Sequence, residues 1–138
     1  MRRGNLIALF AMLAVLLIAW RYWPQPEPQV PSGPPLVKVT VPQLDAAAKS
    51  GETAFNNNCA VCHGLNAAGQ DGVAPPLVHI IYEPNHHGDA AFIRAAKHGV
   101  RAHHWRFGDM PPVENVTDHE IGNIISYVRA LQRANGIR

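Results

Sequence analysis

Cysteine and charge are both scarce in this sequence. Two cysteines among 138 residues exclude a small scaffold held together by several disulfides. Charged residues amount to 16% and hydrophobic residues to 47%, a composition too apolar for a disordered chain. From Leu36 onward nine basic residues balance nine acidic ones, so the chain lacks the electrostatic footprint of a nucleic-acid-binding protein. The length leaves room for one ordinary domain and a short targeting segment.

The N-terminal segment is apolar and uncharged from Leu6 to Trp20, and two arginines precede it. Fifteen residues span about 22 Å, which is shorter than a hydrocarbon core of about 30 Å and also fits the core of a signal peptide. Tyr22 and Trp23 stand where a cleavage site would require small residues, and aromatic residues suit a membrane interface. We therefore expect an uncleaved, single-pass anchor at residues 1–23, with the N-terminus in the cytoplasm because the positive charges before the run outweigh Arg21.

A proline-rich segment follows the apolar run. Residues 24–35 read PQPEPQVPSGPP, with six prolines in twelve positions. Such a composition favours a semi-rigid polyproline spacer about 37 Å long, and a disordered linker is the other interpretation. We predict a linker at residues 24–37 and one domain at residues 38–138.

The last helix of the domain carries the clearest signal. Thr117 and Glu120 have the spacing of a capping box, and Gly136 stands where the helix should end. Apolar residues recur between them at helical spacing: Ile121, Ile124, Ile125, Val128 and Leu131.

Two further helices are predicted before it. The first spans about Leu44 to Asn58. The middle helix runs from Asp89, expected as its N-cap, to His98, with Gly99 just beyond. Its buried side is expected to carry Phe92, Ala95 and Ala96. No segment alternates with period two, so the domain is all-α, and its long loops indicate a cofactor at the centre.

The cofactor is indicated by the pentapeptide Cys59-Ala60-Val61-Cys62-His63. It contains both cysteines of the chain and has the C-x-x-C-H spacing of a c-type haem attachment site. Two thiols one helical turn apart can reach the two haem vinyl groups, and the imidazole that follows can bind the iron. A thioredoxin-like site would need a βαβ setting, a structural zinc site would need four ligands, and a simple disulfide would leave His63 unexplained.

The motif and its surroundings resemble the class I cytochrome c family, over nearly all of residues 44–135. Gly51 and Phe55 precede the first motif cysteine by eight and four positions, as a glycine and an aromatic residue do in that family. The resemblance implies a helical domain wrapped around one covalently attached haem c. It also implies that this pair packs against the last helix at Ile124 and Tyr127.

The resemblance further assigns residues around the haem. A family proline lies about twelve positions after the haem histidine and accepts the Nδ1 proton through its carbonyl, and Pro75 has that offset from His63. Leu77 would pack against the porphyrin. Trp105, with Arg101 and Arg106, is expected near the haem propionates.

Met110 is the expected sixth ligand of the iron. The other two methionines, at positions 1 and 12, lie in or before the apolar run. Met110 lies in the segment Gly108-Asp109-Met110-Pro111-Pro112, which resembles the distal methionine loop of the family and is stiffened by proline. Coordination by two histidines, with His103 or His104 replacing Met110, is the alternative.

Seven histidines lie outside the motif: His79, His86, His87, His98, His103, His104 and His119. The two adjacent pairs, 86–87 and 103–104, would suit copper or zinc by residue type. Adjacent residues of an extended segment point to opposite sides, however, which predicts that each pair is a poor chelate. Residues of the loops and the haem edge are the simpler interpretation.

These features together predict a membrane-tethered carrier of single electrons that catalyses no reaction. Ligation by His63 and Met110 fills both axial positions of the iron and leaves none for a substrate. The resemblance implies a quinol-oxidising complex as electron donor and a terminal oxidase or periplasmic reductase as acceptor. The basic stretch from Arg94 to Arg106 is either a docking patch for an acidic partner or part of the propionate site.

Two alternatives remain open at this stage. The chain could be the haem subunit of a periplasmic dehydrogenase, which would relay electrons out of an enzyme. It could also be a haem sensor or peroxidase, if Met110 is not a permanent ligand.

Overall fold

The computed structural model describes residues 3–22 and 33–138, and it is mostly helical. The helices are α1 (Arg3–Arg21), α2 (Ala46–Asn58), α3 (Ala60–His63), α4 (Asp89–His98) and α5 (Asp118–Ala134). Two 3-10 turns, Leu65–Ala67 and Ile80–Tyr82, lie between α3 and α4. Within the described ranges, β structure is limited to two isolated bridges. The all-α prediction for the domain is therefore confirmed.

Much of the predicted linker at residues 24–37 lies outside the described residues, as do both ends of the predicted anchor at residues 1–23. Among the residues described, no helix combines the length and the apolar character needed to cross a membrane. The anchor stays a prediction.

Helices α2 and α5 form the centre of the domain, and both are capped as their sequences require. The carboxylate of Asp45 accepts a hydrogen bond of 2.8 Å from the backbone N–H of Ala48, so α2 begins slightly later than the expected Leu44. At α5 the reciprocal capping box of Thr117 and Glu120 is present as predicted.

The crossing of α2 and α5 depends on a small residue and an aromatic pair. Gly51 lies against the backbone of α5 at Asn123 and Ile124, where a side chain would collide. One turn later, the ring of Phe55 packs against Tyr127 with centroids 5.6 Å apart, and both side chains are fully buried. The contact implied by the family resemblance is confirmed.

Helix α4 has the predicted bounds but a different N-cap. Gly88, in extended conformation, is the cap residue, and Asp89 is the first residue of the helix. Asp89 lies within the first turn rather than before it, and its carboxylate accepts a hydrogen bond of 2.9 Å from the Nε of Arg129 in α5. The expected N-cap at Asp89 is therefore wrong. Gly99 ends the helix at a φ of +73°, a conformation that glycine adopts without strain.

Candidate functional site

A cavity of about 600 Å³ lies between α4, α5 and the loops before and after α4. Its walls are mostly apolar, and four of the residues singled out by the sequence line it: Cys59, His63, Leu77 and Met110. The helices contribute the remaining apolar wall through Phe92, Ala95, Ala96, Ile121, Ile124 and Ile125. The expected inner face of α4 is half-buried because it faces this space.

The C-x-x-C-H motif spans the junction of α2 and α3. The N–H of Cys59 donates to the carbonyl of Phe55 at 2.8 Å, which ends α2, and the N–H of His63 donates to the carbonyl of Cys59 at 2.9 Å. Cys59 is half-buried and Cys62 is exposed, and no disulfide joins them. Burial, and then the neighbouring Cys62, raise the pKa of the Cys59 thiol to about 11. A thiol with so high a pKa is a poor thiolate, unlike the cysteine of a redox motif.

The imidazole of His63 is buried and oriented by a single contact. Its Nδ1 lies 2.9 Å from the carbonyl oxygen of Pro75, so the N–H there donates and Nε2 is left as the basic nitrogen. Burial lowers the pKa of His63, and the bond to Pro75 opposes this effect only in part. The ring is therefore neutral near pH 7, the form that binds a metal.

The Met110 loop is held against the end of α4. The N–H of Val100 donates to the carbonyl of Met110 and the N–H of Met110 donates to the carbonyl of Val100, each at 2.9 Å. This bridge depends on Gly99, because a Cβ there would lie 2.4 Å from the Met110 carbonyl oxygen. The carboxylate of Asp109 also accepts a hydrogen bond of 2.8 Å from the N–H of Ala102. Met110 thus lines the cavity from a loop tied at two points.

The structure places Trp105 outside the cavity wall. Its ring packs edge-on against His79, with centroids 5.0 Å apart, and stacks on Phe107 at 5.9 Å. The indole nitrogen is buried and makes no hydrogen bond to the part of the chain that is described. Of the nearby arginines, Arg94 and Arg101 line the cavity. The expected contact of Trp105 with the haem propionates stays a prediction.

Comparison with protein families identifies the fold that these residues build. The cytochrome c model matches residues 48–132, which is more than half of the chain and includes the motif, the cavity and α5. The chain belongs to the cytochrome c family. Its cofactor is covalently bound haem c, and it is an electron-transfer haem protein. A comparison with curated proteins gave no match.

The residues of this cytochrome c fit the cofactor. The cavity is wide and apolar, as a porphyrin requires, and Cys59, the first cysteine of the motif, lines it. His63 and Met110 both line the cavity, and an imidazole with a thioether is a donor pair found in electron-transfer haems. The two arginines that line the cavity, Arg94 and Arg101, are exposed.

Sequence reasoning missed Arg129. This side chain is only 9% exposed and donates to four acceptors, of which two belong to the segment before α4. Those two are the carbonyls of Tyr82, at 2.7 Å, and His87, at 2.6 Å. The others are the side chains of Asp89 and Gln132. The sequence did offer one signal of its burial: this arginine follows Val128 directly and lies beside the apolar residues of α5.

The histidine pairs are arranged differently from the expectation. His86 and His87 belong to a turn, in which both N–H groups donate to the carbonyl of Glu83, rather than to an extended segment. A cluster of three rings forms across two loops from His86, His87 and His104. Desolvation, and then the neighbouring imidazoles of the cluster and of His103, lower the pKa of His104. The prediction of a poor chelate is therefore wrong for His86 and His87, whose ring centroids lie 4.7 Å apart, whereas only His104 of the second pair joins the cluster.

Proposed function

We propose that this cytochrome c is a membrane-tethered, periplasmic carrier that moves single electrons between respiratory proteins. The observation that carries the proposal is that His63 and Met110, 47 positions apart, line the same apolar cavity. An imidazole and a thioether together fill both axial positions of a haem iron. A protein with no open position at the iron has no place to bind a substrate, which favours a carrier over an enzyme.

In this proposal several residues of the chain hold the haem, each through a different contact. Cys59 and Cys62 form the thioether bonds, and Pro75 fixes the ring of His63 through its carbonyl. Leu77 packs against the porphyrin from the cavity wall. The haem iron supplies the redox chemistry by gaining and losing one electron. The bonds that tie the Met110 loop to α4 keep the weak thioether ligand in place in both states.

The rim of the cavity supports a docking role. Arg94 and Arg101 line the cavity and are exposed, whereas the nearby Lys97 is paired with Asp118 at 2.6 Å. Two unburied guanidinium groups beside the cofactor site would attract an acidic patch on a redox partner and speed the encounter. We propose a quinol-oxidising complex as donor and a terminal oxidase or periplasmic reductase as acceptor.

The tether is proposed from the sequence of the N-terminal segment. Its uninterrupted apolar run from Leu6 to Trp20, flanked by arginine and aromatic residues, favours insertion into the inner membrane. Extraction of membranes with alkaline carbonate tests this. The full chain should stay with the membranes, and a variant with Leu13→Arg and Leu16→Arg should be released. Release of the unaltered chain would contradict the tether.

A redox titration with exposure to carbon monoxide tests the carrier function on the full-length holoprotein. We expect a one-electron transition and no binding of carbon monoxide to the ferrous haem, because both axial positions are filled. Rapid binding would favour the sensor or peroxidase alternative. Stable co-purification with a dehydrogenase would instead favour a fixed subunit.

A further inference from the structure

Three histidines that are not the expected haem ligands converge from two loops: His86, His87 and His104. His86 and His87 lie in the turn that follows the 3-10 segment Ile80–Tyr82, and His104 lies in the loop between α4 and Met110. Each offers one ring nitrogen, and these three nitrogens all lie within 4.8 Å of one another. The Nε2 atoms of His86 and His104 are 3.4 Å apart.

That separation matches the geometry of a metal site. With metal–nitrogen bonds of about 2.0–2.1 Å, two nitrogens at neighbouring corners of a tetrahedron lie about 3.3–3.4 Å apart. The facing nitrogens of His86 and His104 already have this spacing. The third nitrogen, from His87, lies within 4.8 Å of both, and water would complete the coordination.

His87 is held as a metal ligand usually is. Its Nδ1 lies 2.6 Å from the carbonyl oxygen of Ile81, so this nitrogen donates its proton and Nε2 is left free. The backbone of the same residue is fixed by Arg129, which donates to the His87 carbonyl at 2.6 Å. His86 and His104 are exposed, which gives an ion a path from solvent.

His103 contributes to the surroundings rather than to the triad. Its ring lies 4.2 Å from that of His104, centroid to centroid, and its Nδ1 is 2.8 Å from the carbonyl oxygen of Arg101. His103 lines the haem cavity, as His87 does. The triad of His86, His87 and His104 therefore lies next to the haem cavity, and none of its three residues is an expected haem ligand.

We propose that His86, His87 and His104 form a binding site for one divalent late transition-metal ion, zinc or copper(II). Three imidazoles are a donor set that suits such ions, whereas calcium and magnesium take oxygen ligands. The site lies outside the iron coordination, so an ion there leaves the haem ligands unchanged.

Isothermal titration calorimetry with zinc chloride tests the site on the tag-free, full-length ferric holoprotein in a non-chelating buffer near pH 7.5. We expect one zinc ion per chain. His86→Ala and His104→Ala should each weaken binding by at least about 100-fold, since they remove a ligand rather than a supporting contact. His119→Ala is the matched control, because His119 lies on α5 and contacts Asn123 instead. That variant should bind as the wild type does.

Copper(II) provides a second measurement. The electron paramagnetic resonance spectrum of the wild type with one equivalent of copper should show coupling to ring nitrogens, and His104→Ala should lose that signal. The haem absorption spectrum of each variant checks its fold. Absence of zinc binding in the wild type, or equal binding by wild type and both triad variants, would overturn the proposal. Loss of zinc binding in His119→Ala alone would place the ion elsewhere and would also overturn the proposal.

Discussion

Gly51 of α2 lies directly against Asn123 of α5, so closely that a Cβ at position 51 would be 1.9 Å from the Asn123 carbonyl oxygen. The obstacle is main chain of a helix, which cannot move aside as a flexible side chain can. The two helices can cross at this point only because glycine has no side chain.

Gly51→Ala should therefore destabilise the holoprotein, although alanine is the better helix former. Overpacking of this kind costs about 1–3 kcal/mol. Gly122→Ala in α5 is the matched control, because nothing lies within 4 Å of a Cβ built there. It should stabilise the protein by about 0.5–1 kcal/mol. Urea unfolding measures both, and equal effects at the two positions would contradict the argument.

Changing either cysteine of the motif should prevent haem attachment at that position. Cys59→Ser and Cys62→Ser should each yield little holoprotein, because the thioether bond and the porphyrin that fills the cavity are lost together. Denaturing gels stained for haem measure this. If acid-acetone extraction removed the haem from the unaltered protein, the covalent attachment would be wrong.

Met110→Ala should open the sixth position of the iron. We expect loss of the weak near-infrared band from methionine to ferric iron, binding of carbon monoxide to the ferrous haem, and a lower reduction potential, because a thioether favours ferrous iron. His103→Ala is the control, since His103 also lines the cavity. It should keep the band. A band that survives Met110→Ala would point to a histidine as the sixth ligand.

Arg129→Met should destabilise the domain by about 2–3 kcal/mol, because the carbonyls of Tyr82 and His87 would lose a charged donor. Arg133→Met, on an exposed part of the same helix, should change stability by less than about 0.5 kcal/mol. Asp89→Asn removes the ion pair with Arg129 but keeps the two carbonyl contacts, so this variant measures the contribution of the ion pair alone. The Asp89 side chain is 64% exposed, so we expect a small effect, and a loss as large as that of Arg129→Met would contradict this division.

The capping box of α5 should make stability depend on pH. Hydrogen bonds from the hydroxyl and the backbone N–H of Thr117 lower the pKa of Glu120. A carboxyl whose pKa is lower in the folded state stabilises the fold above its usual pKa, and this contribution is lost as the pH falls through the lowered value. Unfolding of wild type and Glu120→Gln should therefore converge in acid. Parallel pH profiles for the two proteins would contradict the prediction.

The parts of the fold that neighbouring residues decide could be predicted well. The capping box at Thr117, the end of α4 at Gly99 and the order of Cys59, Cys62 and His63 all involve residues within a few positions of one another. Hydrophobic periodicity was equally reliable for α5. The N-cap of α4 was predicted one residue too late, because the extended backbone of Gly88 already starts the helix, and Asp89 contacts Arg129, 40 positions away.

The sequence by itself determined α2, α4, α5, the haem attachment motif and the family, because each depends on short-range spacing of particular residue types. Tertiary structure alone decided that Met110 shares a cavity with His63, that Arg129 holds the segment before α4, and that His86, His87 and His104 converge. These contacts join residues 17 to 47 positions apart. They depend on the path by which each loop returns to the helices, and local propensity contains no information about that path.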